Sequence, residues 1–321
     1  MLALLLGGVV CPLGVWAQQG DWALDDCNQV QDRDQQLSGC SEVLGRGNLE
    51  TAANRTIAFY NRGNAHRARG NLDAAFRDYD EAIRLNPRYA FAFIGRGLAH
   101  GARGNLDAAI RDYDEAIRLN PRDAIAFNNR GAAHGARGNL DAAIRDYDEA
   151  VRLVPGDAVL LYNRGNSHRA RGNLDTAIRD YDEAIRFAPS FAAAFNNRGN
   201  AHRARGNLDA AIRDYDEAIR LNPRYAEAFN NRGFAYHARG NVDAAIGDYD
   251  EAIRLNPRDA SAFSNRGLVY EQRGNLDKAA ADFREAIRLG DAQARTDLAR
   301  VEAALVAQRR PARPGNLPTR P

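Results

Sequence analysis

The stretch from Asn196 to Phe229 reads NNRGNAHRARGNLDAAIRDYDEAIRLNPRYAEAF. Close variants of it recur along most of the chain, and each copy but one is marked by the tripeptide Asn-Arg-Gly. The tripeptide begins at Asn61, Asn129, Asn163, Asn197, Asn231 and Asn265, and Gly95-Arg96-Gly97 stands in the one gap. These positions are 34 residues apart. A fixed period of this length predicts a repeat architecture in which every copy is one supersecondary unit.

The copy at 56–89 predicts two antiparallel helices. Small and apolar residues fall on one helical face in its first half, until Gly70 stops the helix. Asp73 is expected to cap the second helix, and Pro87 to end it, because proline disfavours helical backbone in the residue before it. The residues expected between the two helices are Phe59, Gly63, His66, Ala75, Tyr79, Ala82 and Ile83.

This pattern resembles the tetratricopeptide repeat, in which an aromatic residue, glycine, a ring, alanine, an aromatic residue, alanine and proline stand at set offsets. The matching residues of the first copy are Phe59, Gly63, His66, Ala75, Tyr79, Ala82 and Pro87. Departures are few: Leu161 replaces the first aromatic residue of the fourth copy, and Asp291 the last proline. The resemblance implies an all-α fold, a right-handed α-solenoid (superhelix) of helix-turn-helix units. Repeats one to seven are 56–89, 90–123, 124–157, 158–191, 192–225, 226–259 and 260–293.

A stack of repeats exposes its two terminal faces, so both ends are expected to be capped. Residues 18–55 are interpreted as an N-terminal helical cap, a degenerate leading repeat. Residues 294–309 are interpreted as a C-terminal capping helix. Residues 310–321 hold four prolines and predict a disordered tail.

Residues 1–17 indicate a signal peptide. They are uncharged and largely apolar, and residues 15–17 form a small-x-small cleavage site. The basic segment that usually precedes the apolar stretch is missing, which a wrongly chosen start codon would explain. A lipid anchor through Cys11 is a weaker alternative, because its flanking residues fit a lipobox poorly. The expected localisation is periplasmic or secreted.

Cleavage of this leader leaves two cysteines, Cys27 and Cys40. An even pair in an exported chain favours a disulfide, which would staple the two helices of the N-terminal cap. Two reduced, buried thiols are the alternative. The pair has no neighbouring histidine and therefore does not indicate a zinc site.

The sequence predicts no enzyme, no cofactor and no bound metal. It contains no nucleophile elbow, P-loop, dinucleotide fingerprint or metalloprotease helix. Packed helices lie about 8–10 Å apart, whereas zinc holds an imidazole nitrogen at about 2.1 Å. Histidines that occur once per repeat are therefore too far apart to bind one metal ion together. A net charge of +2 does not indicate a nucleic-acid-binding protein. The recurring histidines are His66, His100, His134, His168 and His202.

The asparagine of each Asn-Arg-Gly is the candidate binding residue. In the family resembled, the first helix of each repeat lines a concave groove, and the residue two before the packing glycine faces inward. The series is similar to the asparagine ladder of the O-linked N-acetylglucosamine transferases, which implies a grip on extended polypeptide. A carboxamide offers a donor and an acceptor to a peptide backbone. The candidate groove residues are Asn61, Asn129, Asn163, Asn197, Asn231 and Asn265, with Asn64, Asn166 and Asn200 beside them.

Three functional hypotheses follow from these patterns. The first is a scaffold that binds an extended segment of a partner protein, with no small-molecule substrate. The second is a structural component of an envelope complex that self-associates through its convex face or its caps; the asparagines would then be one residue copied by duplication. The third and weakest is a tether to an anionic surface through the basic C-terminal tail.

Overall fold

The computed structural model describes residues 22–28 and 32–309, without the side chains of Trp22 and Arg309. The predicted signal peptide and C-terminal tail lie outside the described residues. The described part of the chain is all-α and contains no strand, and the expected solenoid of repeated helix pairs is confirmed. The chain divides into an N-terminal unit, residues 1–153, and a C-terminal unit, residues 154–321.

The N-terminal unit contains the cap and repeats one to three. The repeats are three helix pairs, and the first helix of repeat one begins at Ala52, within the range assigned to the cap. In the cap, Cys27 and Cys40 form a disulfide between the first two helices. The helices are α1 Trp22–Asn28, α2 Arg33–Gly45, a 3₁₀ turn Gly47–Leu49, α3 Ala52–Ala68, α4 Leu72–Leu85, α5 Ala90–Ala102, α6 Leu106–Leu119, α7 Ala124–Ala136 and α8 Leu140–Leu153.

The C-terminal unit contains repeats four to seven and a final helix. Val301 of that helix is fully buried, and Leu298 and Leu305 pack with it against repeat seven. The helices are α9 Ala158–Ala170, α10 Leu174–Phe187, α11 Ala192–Ala204, α12 Leu208–Leu221, α13 Ala226–Ala238, α14 Val242–Leu255, α15 Ala260–Gln272, α16 Leu276–Arg288 and α17 Ala294–Arg309.

The turn between the two helices of a repeat depends on one glycine. Gly70 has φ 78°, a conformation that glycine adopts without strain. The N–H of Gly70 donates to Arg67 O and that of Asn71 to His66 O, which closes the first helix in a Schellman motif. The expected cap at Asp73 is wrong, because the second helix begins at Leu72 with Asn71 as its N-cap, and Asp73 lies in the first turn.

The two helices of a repeat meet at a glycine. A Cβ added to Gly63 would lie 2.8 Å from Cε1 of Tyr79, so only glycine admits this ring. Tyr79 is fully buried, as are its counterparts Tyr181, Tyr215 and Tyr249. The close packing of a small residue on a ring fixes the distance between the paired helices.

An ion pair joins the two helices of every repeat. Arg62 Nε and Nη2 donate to the two oxygens of Asp78 at 3.0 and 2.7 Å. Asp78 is only 4% exposed, so its side of the ion pair is shielded from solvent. Arg96 also donates to Asp80 of the preceding repeat at 2.7 Å, which ties neighbouring repeats together. The pairs are Arg62–Asp78, Arg96–Asp112, Arg130–Asp146, Arg164–Asp180, Arg198–Asp214, Arg232–Asp248 and Arg266–Asp282.

Candidate functional site

The first helices of successive repeats contact one another directly. In the N-terminal unit α3 contacts α5, and α5 contacts α7; in the C-terminal unit α9, α11, α13 and α15 adjoin in the same way. We call the surface along these contacts the inner face of each unit. The packing glycine of each repeat is the one that lies on the buried ring, Gly63 in repeat one. The inner face carries four positions of each first helix. They stand three and two residues before this glycine, and one and four residues after it.

In the C-terminal unit, the inner face carries a chain of hydrogen-bonded amides. Asn197 Nδ2 donates to Tyr162 Oη at 2.9 Å and to Asn166 Oδ1 at 2.8 Å. Asn231 Nδ2 donates to Asn196 Oδ1 at 3.0 Å. One repeat further, Asn265 Nδ2 donates to Asn230 Oδ1 at 3.1 Å. We call this chain the amide belt; its residues are Tyr162, Asn166, Asn196, Asn197, Asn230, Asn231 and Asn265.

The amide belt uses part of the hydrogen-bonding capacity of each asparagine. Asn197 donates both of its amide hydrogens to other side chains of the protein, and its Oδ1 atom accepts a hydrogen bond from Asn196 Nδ2. Asn231 and Asn265 each donate one hydrogen, and within the described residues neither Oδ1 atom accepts a hydrogen bond. An amide group has two donors and two acceptor lone pairs. Asn231 and Asn265 therefore keep both a donor and an acceptor for a ligand.

Asn64, Asn166 and Asn200 are held by buried tyrosines. The hydroxyl groups of Tyr79, Tyr181 and Tyr215 donate to the Oδ1 atoms of these asparagines at 2.8 Å each. Burial raises the pKa of Tyr79 to about 12, against the opposing effect of nearby Arg67, so the phenol stays protonated as a donor. The sequence did not reveal this support, although a tyrosine stands sixteen residues after the packing glycine in repeats one to six, and Phe283 takes its place in repeat seven.

In the N-terminal unit, the inner face carries different amide contacts. Asn61 Nδ2 donates to Asn28 of the cap at 3.1 Å, and Asn128 Nδ2 donates to its neighbour Asn129 at 3.4 Å. Between them stands Gly95, where an added Cβ would lie 2.6 Å from Cε1 of Tyr79. The ring of Tyr79 thus occupies the space that an asparagine side chain would need.

The predicted asparagine series lies on the inner faces as a half-buried set. All six members have intermediate exposure, whereas the adjoining Asn196 is fully buried. The structure joins Asn197, Asn231 and Asn265 to neighbouring repeats through the amide belt. Asn197, Asn231 and Asn265 therefore contribute to the packing of successive first helices.

Three arginines lie on the inner faces four residues after the packing glycine. Arg67 and Arg169 have buried Nε atoms without a hydrogen-bond partner. The guanidinium of Arg203 lies over the ring of Phe234, 4.6 Å from its centroid. Within the described residues these arginines form no ion pair, in contrast to the arginines that precede the packing glycines.

The recurring histidines lie beside the buried carboxylates. His100 Nε2 is 3.8 Å from Asp112 Oδ2, and His134 and His202 are placed in the same way. Burial lowers the pKa of each of these three imidazoles below its usual value, and the neighbouring aspartate opposes this effect. These rings fill the space between helices.

Across 22–28 and 32–309, no group of three or more histidine, cysteine, aspartate or glutamate side chains is arranged to hold a metal ion. In the same ranges, none of the helices combines the length and the apolar composition of a membrane span.

The sequence and the fold were compared with known proteins. Models of the tetratricopeptide repeat family match residues 56–89, 94–158, 165–203, 199–240, 235–274 and 260–290, together well over half of the chain. A search of curated proteins gave no significant match.

Several solved structures share the fold. A tetratricopeptide repeat protein from Parabacteroides merdae is 20% identical over 77% of this chain and 98% of its own, with a TM-score of 0.63. The APC/C hetero-tetramer Cut9-Hcn1 is 18% identical over 84% of this chain, with a TM-score of 0.63; this chain spans 52% of that one. Yeast Tom70 is 20% identical over 86% of this chain and 60% of its own, with a TM-score of 0.57.

These identities establish the fold and no individual function. Proteins of this fold are typically non-catalytic scaffolds, and protein–protein interaction is the class of function that the repeats indicate. By its family matches, its helix pairs and its packing residues, the chain belongs to the tetratricopeptide repeat family.

Proposed function

We propose that the chain is a scaffold whose inner face binds an extended segment of a partner protein. The observation that carries this proposal is the amide belt. It sets carboxamides on consecutive first helices, and Asn231 and Asn265 keep both a donor and an acceptor for a peptide backbone. A backbone exposes such groups at every residue whatever its sequence.

The internal hydrogen bonds of the belt support this use. An asparagine that is already fixed by its neighbour loses less conformational freedom when it binds a ligand, and the cost of binding is lower. Each neutral hydrogen bond contributes only about 0.5–1.5 kcal/mol. A useful affinity therefore requires several repeats to act together on one segment.

The test is the binding of an unfolded polypeptide to the full chain. The probe is reduced, carboxymethylated α-lactalbumin carrying a fluorescent label, and the readout is anisotropy. The double variant Asn231→Ala/Asn265→Ala should weaken binding roughly 5- to 100-fold, since it removes two hydrogen-bonding groups of about 0.5–1.5 kcal/mol each. Arg213→Ala, at an exposed position of second helix α12, is the control and should bind like the unmodified chain. Equal binding by all three proteins would refute the proposal.

We also propose that the mature protein is exported to the periplasm or secreted. The disulfide between Cys27 and Cys40 supports this proposal, because such bonds persist in oxidising compartments. Alkylation of free thiols followed by mass spectrometry, on protein isolated from its native cells, tests it. Two alkylated cysteines would contradict export.

Self-association through the C-terminal end is a second candidate function. Val306 of α17 is 57% exposed and lies with Glu302, Ala303 and Ala307 around a surface depression. Together with Ala303 and Ala307 it forms a small apolar surface on the last described helix, which suits a contact between copies. Sedimentation at rising concentration should show an oligomer that Val306→Ser abolishes, and a monomer throughout would dismiss this function.

A further inference from the structure

The inner face of the N-terminal unit contains a pocket where the asparagine series is interrupted. The pocket has a volume of about 420 Å³, within the range of about 300–1,000 Å³ that is usual for ligand sites. Its apolar lining comes from Tyr60, Phe91, Ile94, Leu98 and Ile125.

Two of these apolar side chains are open to solvent. Phe91 is 48% exposed and Ile125 is 60% exposed. The ring of Phe91 packs against Tyr60 and Tyr89 with centroid distances of 6.2 and 5.6 Å, so it is held in place. Single exposed apolar residues are ordinary, but several around one pocket mark an interaction site.

The charged residues of the pocket all have the same sign. Arg33 and Arg67 line it, and no carboxylate does. Arg33 Nη1 donates to the neutral Gln36 at 2.9 Å. The Nε atom of Arg67 is buried without a hydrogen-bond partner, and Arg67 forms no ion pair within the described residues. Because the Nε atom is buried, a ligand can reach only the terminal nitrogens of Arg67, which lies beside the pocket and near the hydroxyl of Tyr79. A guanidinium that lines a pocket without an ion pair is suited to a carboxylate.

We infer that this pocket receives one large apolar side chain of the bound polypeptide, aromatic or of the size of leucine. A carboxylate next to that side chain in the same segment pairs with Arg67. The inference rests on the proposed function and deepens it, because backbone contacts carry no sequence preference. At the positions where repeat five has asparagines, repeat two has Ile94, Gly95 and Leu98. Their apolar surface gives the pocket a preference for an apolar side chain. The partner segment on the N-terminal unit is therefore acidic and carries an apolar anchor.

Selection from a phage-displayed library of random twelve-residue peptides on the full chain tests the inference. Enriched peptides should contain an aromatic residue or leucine within two positions of aspartate or glutamate. Selection on Phe91→Ser/Ile125→Ser should lose the apolar preference, and selection on Arg67→Glu should replace the acidic residue with lysine or arginine. Val159→Ser changes the same helix position in repeat four, and Arg213→Glu changes an exposed arginine of second helix α12; both should leave the preference intact.

The affinity of the enriched consensus peptide, measured by anisotropy, gives the size of the effect. It should fall roughly 10- to 100-fold in Phe91→Ser/Ile125→Ser, because burial of a large apolar side chain is lost, and stay unchanged in Val159→Ser. If the double variant does not fold, Ile125→Ser alone replaces it.

The outcomes separate this inference from the proposed function. Enrichment without an apolar and acidic preference, or an equal loss in Val159→Ser, overturns the pocket and leaves the scaffold proposal standing. A library that yields no enriched peptide also overturns the pocket alone, because binding through the peptide backbone enriches no particular sequence. The scaffold proposal is overturned only by the anisotropy measurement with unfolded α-lactalbumin.

Discussion

Repeats two and five differ in their inner faces and share one scaffold. Their second helices, α6 and α12, have the same sequence, LDAAIRDYDEAIRL. Their first helices, α5 and α11, differ where the inner face lies: repeat two has Ile94, Gly95 and Leu98, and repeat five has asparagine at all three positions. The first gives an apolar pocket and the second a segment of the amide belt.

This comparison separates the residues that build the helix pair from those that vary between repeats. The buried Arg–Asp pair and the glycine-on-ring contact involve residues that both repeats share. The inner-face positions lie on the first helix and vary without changing that framework. Under the proposed function, these few positions per repeat determine what each repeat binds.

The largest expected effect tests the shared scaffold. Asp112→Ala and Asp214→Ala should each destabilise the protein by about 2–4 kcal/mol, because each removes two charge-assisted hydrogen bonds from a largely buried arginine. Arg96 and Arg198 then keep only the exposed partners Asp80 and Asp182. Urea unfolding followed by circular dichroism measures both variants, with Arg111→Ala at an exposed site of α6 as the control. A large loss in one repeat and none in the other would show that the two scaffolds are not equivalent.

Gly95→Asn should restore the asparagine of repeat two and destabilise the protein by about 1–3 kcal/mol. The new side chain would overlap the ring of Tyr79, and overpacking outweighs the gain from removing a helical glycine. The control is Gly101→Ala in the same helix, where an added Cβ meets nothing within 4 Å and should stabilise by about 0.5–1 kcal/mol. Thermal melting compares the two variants. A rise in melting temperature for Gly95→Asn would mean that packing does not require glycine at this position, and that the asparagine of repeat two was lost by chance.

The amide belt itself should contribute a smaller amount to stability. Asn231→Ala removes the hydrogen bond to Asn196 and should cost about 0.5–1.5 kcal/mol. Asn129→Ala in the N-terminal unit should cost less, because Asn129 accepts only a long hydrogen bond of 3.4 Å from its neighbour. The urea midpoints of the two variants give the order. Equal destabilisation would mean that the amide belt stabilises the C-terminal unit no more than Asn129 stabilises the N-terminal unit.

The smallest expected effect depends on pH. Burial lowers the pKa of His100, His134 and His202 in the folded protein, so the unfolded chain takes up protons first as the pH falls through about 6.5. Stability should therefore decrease below that pH, and the loss is complete below the folded-state pKa. Tyrosine stands at the corresponding position in repeats six and seven, as Tyr236 and Tyr270. Changing all three histidines to tyrosine should therefore reduce the fall in melting temperature between pH 7 and 5.5. An unchanged fall would assign it to other groups.

The helix pairs could be predicted from the sequence, and the inner face only in part. Periodicity, Gly70 and Pro87 report local backbone preferences, which the sequence carries directly. The partners of Asn231 and Asn265 depend on how neighbouring repeats stack. The fit of Tyr79 against Gly95 and the burial of Asp78 likewise follow from tertiary packing and not from spacing.

Site-specific photo-cross-linking tests the central claim, binding on the inner face, most directly. A benzophenone amino acid replaces Phe234 or Leu268, which are 41% and 38% exposed and follow the packing glycines of repeats six and seven. Arg213 on the second helix α12 is replaced in the control. With labelled, unfolded α-lactalbumin, the account predicts cross-links from positions 234 and 268 and none above background from 213. Cross-links from 213 alone would contradict it and place the partner on the outer surface.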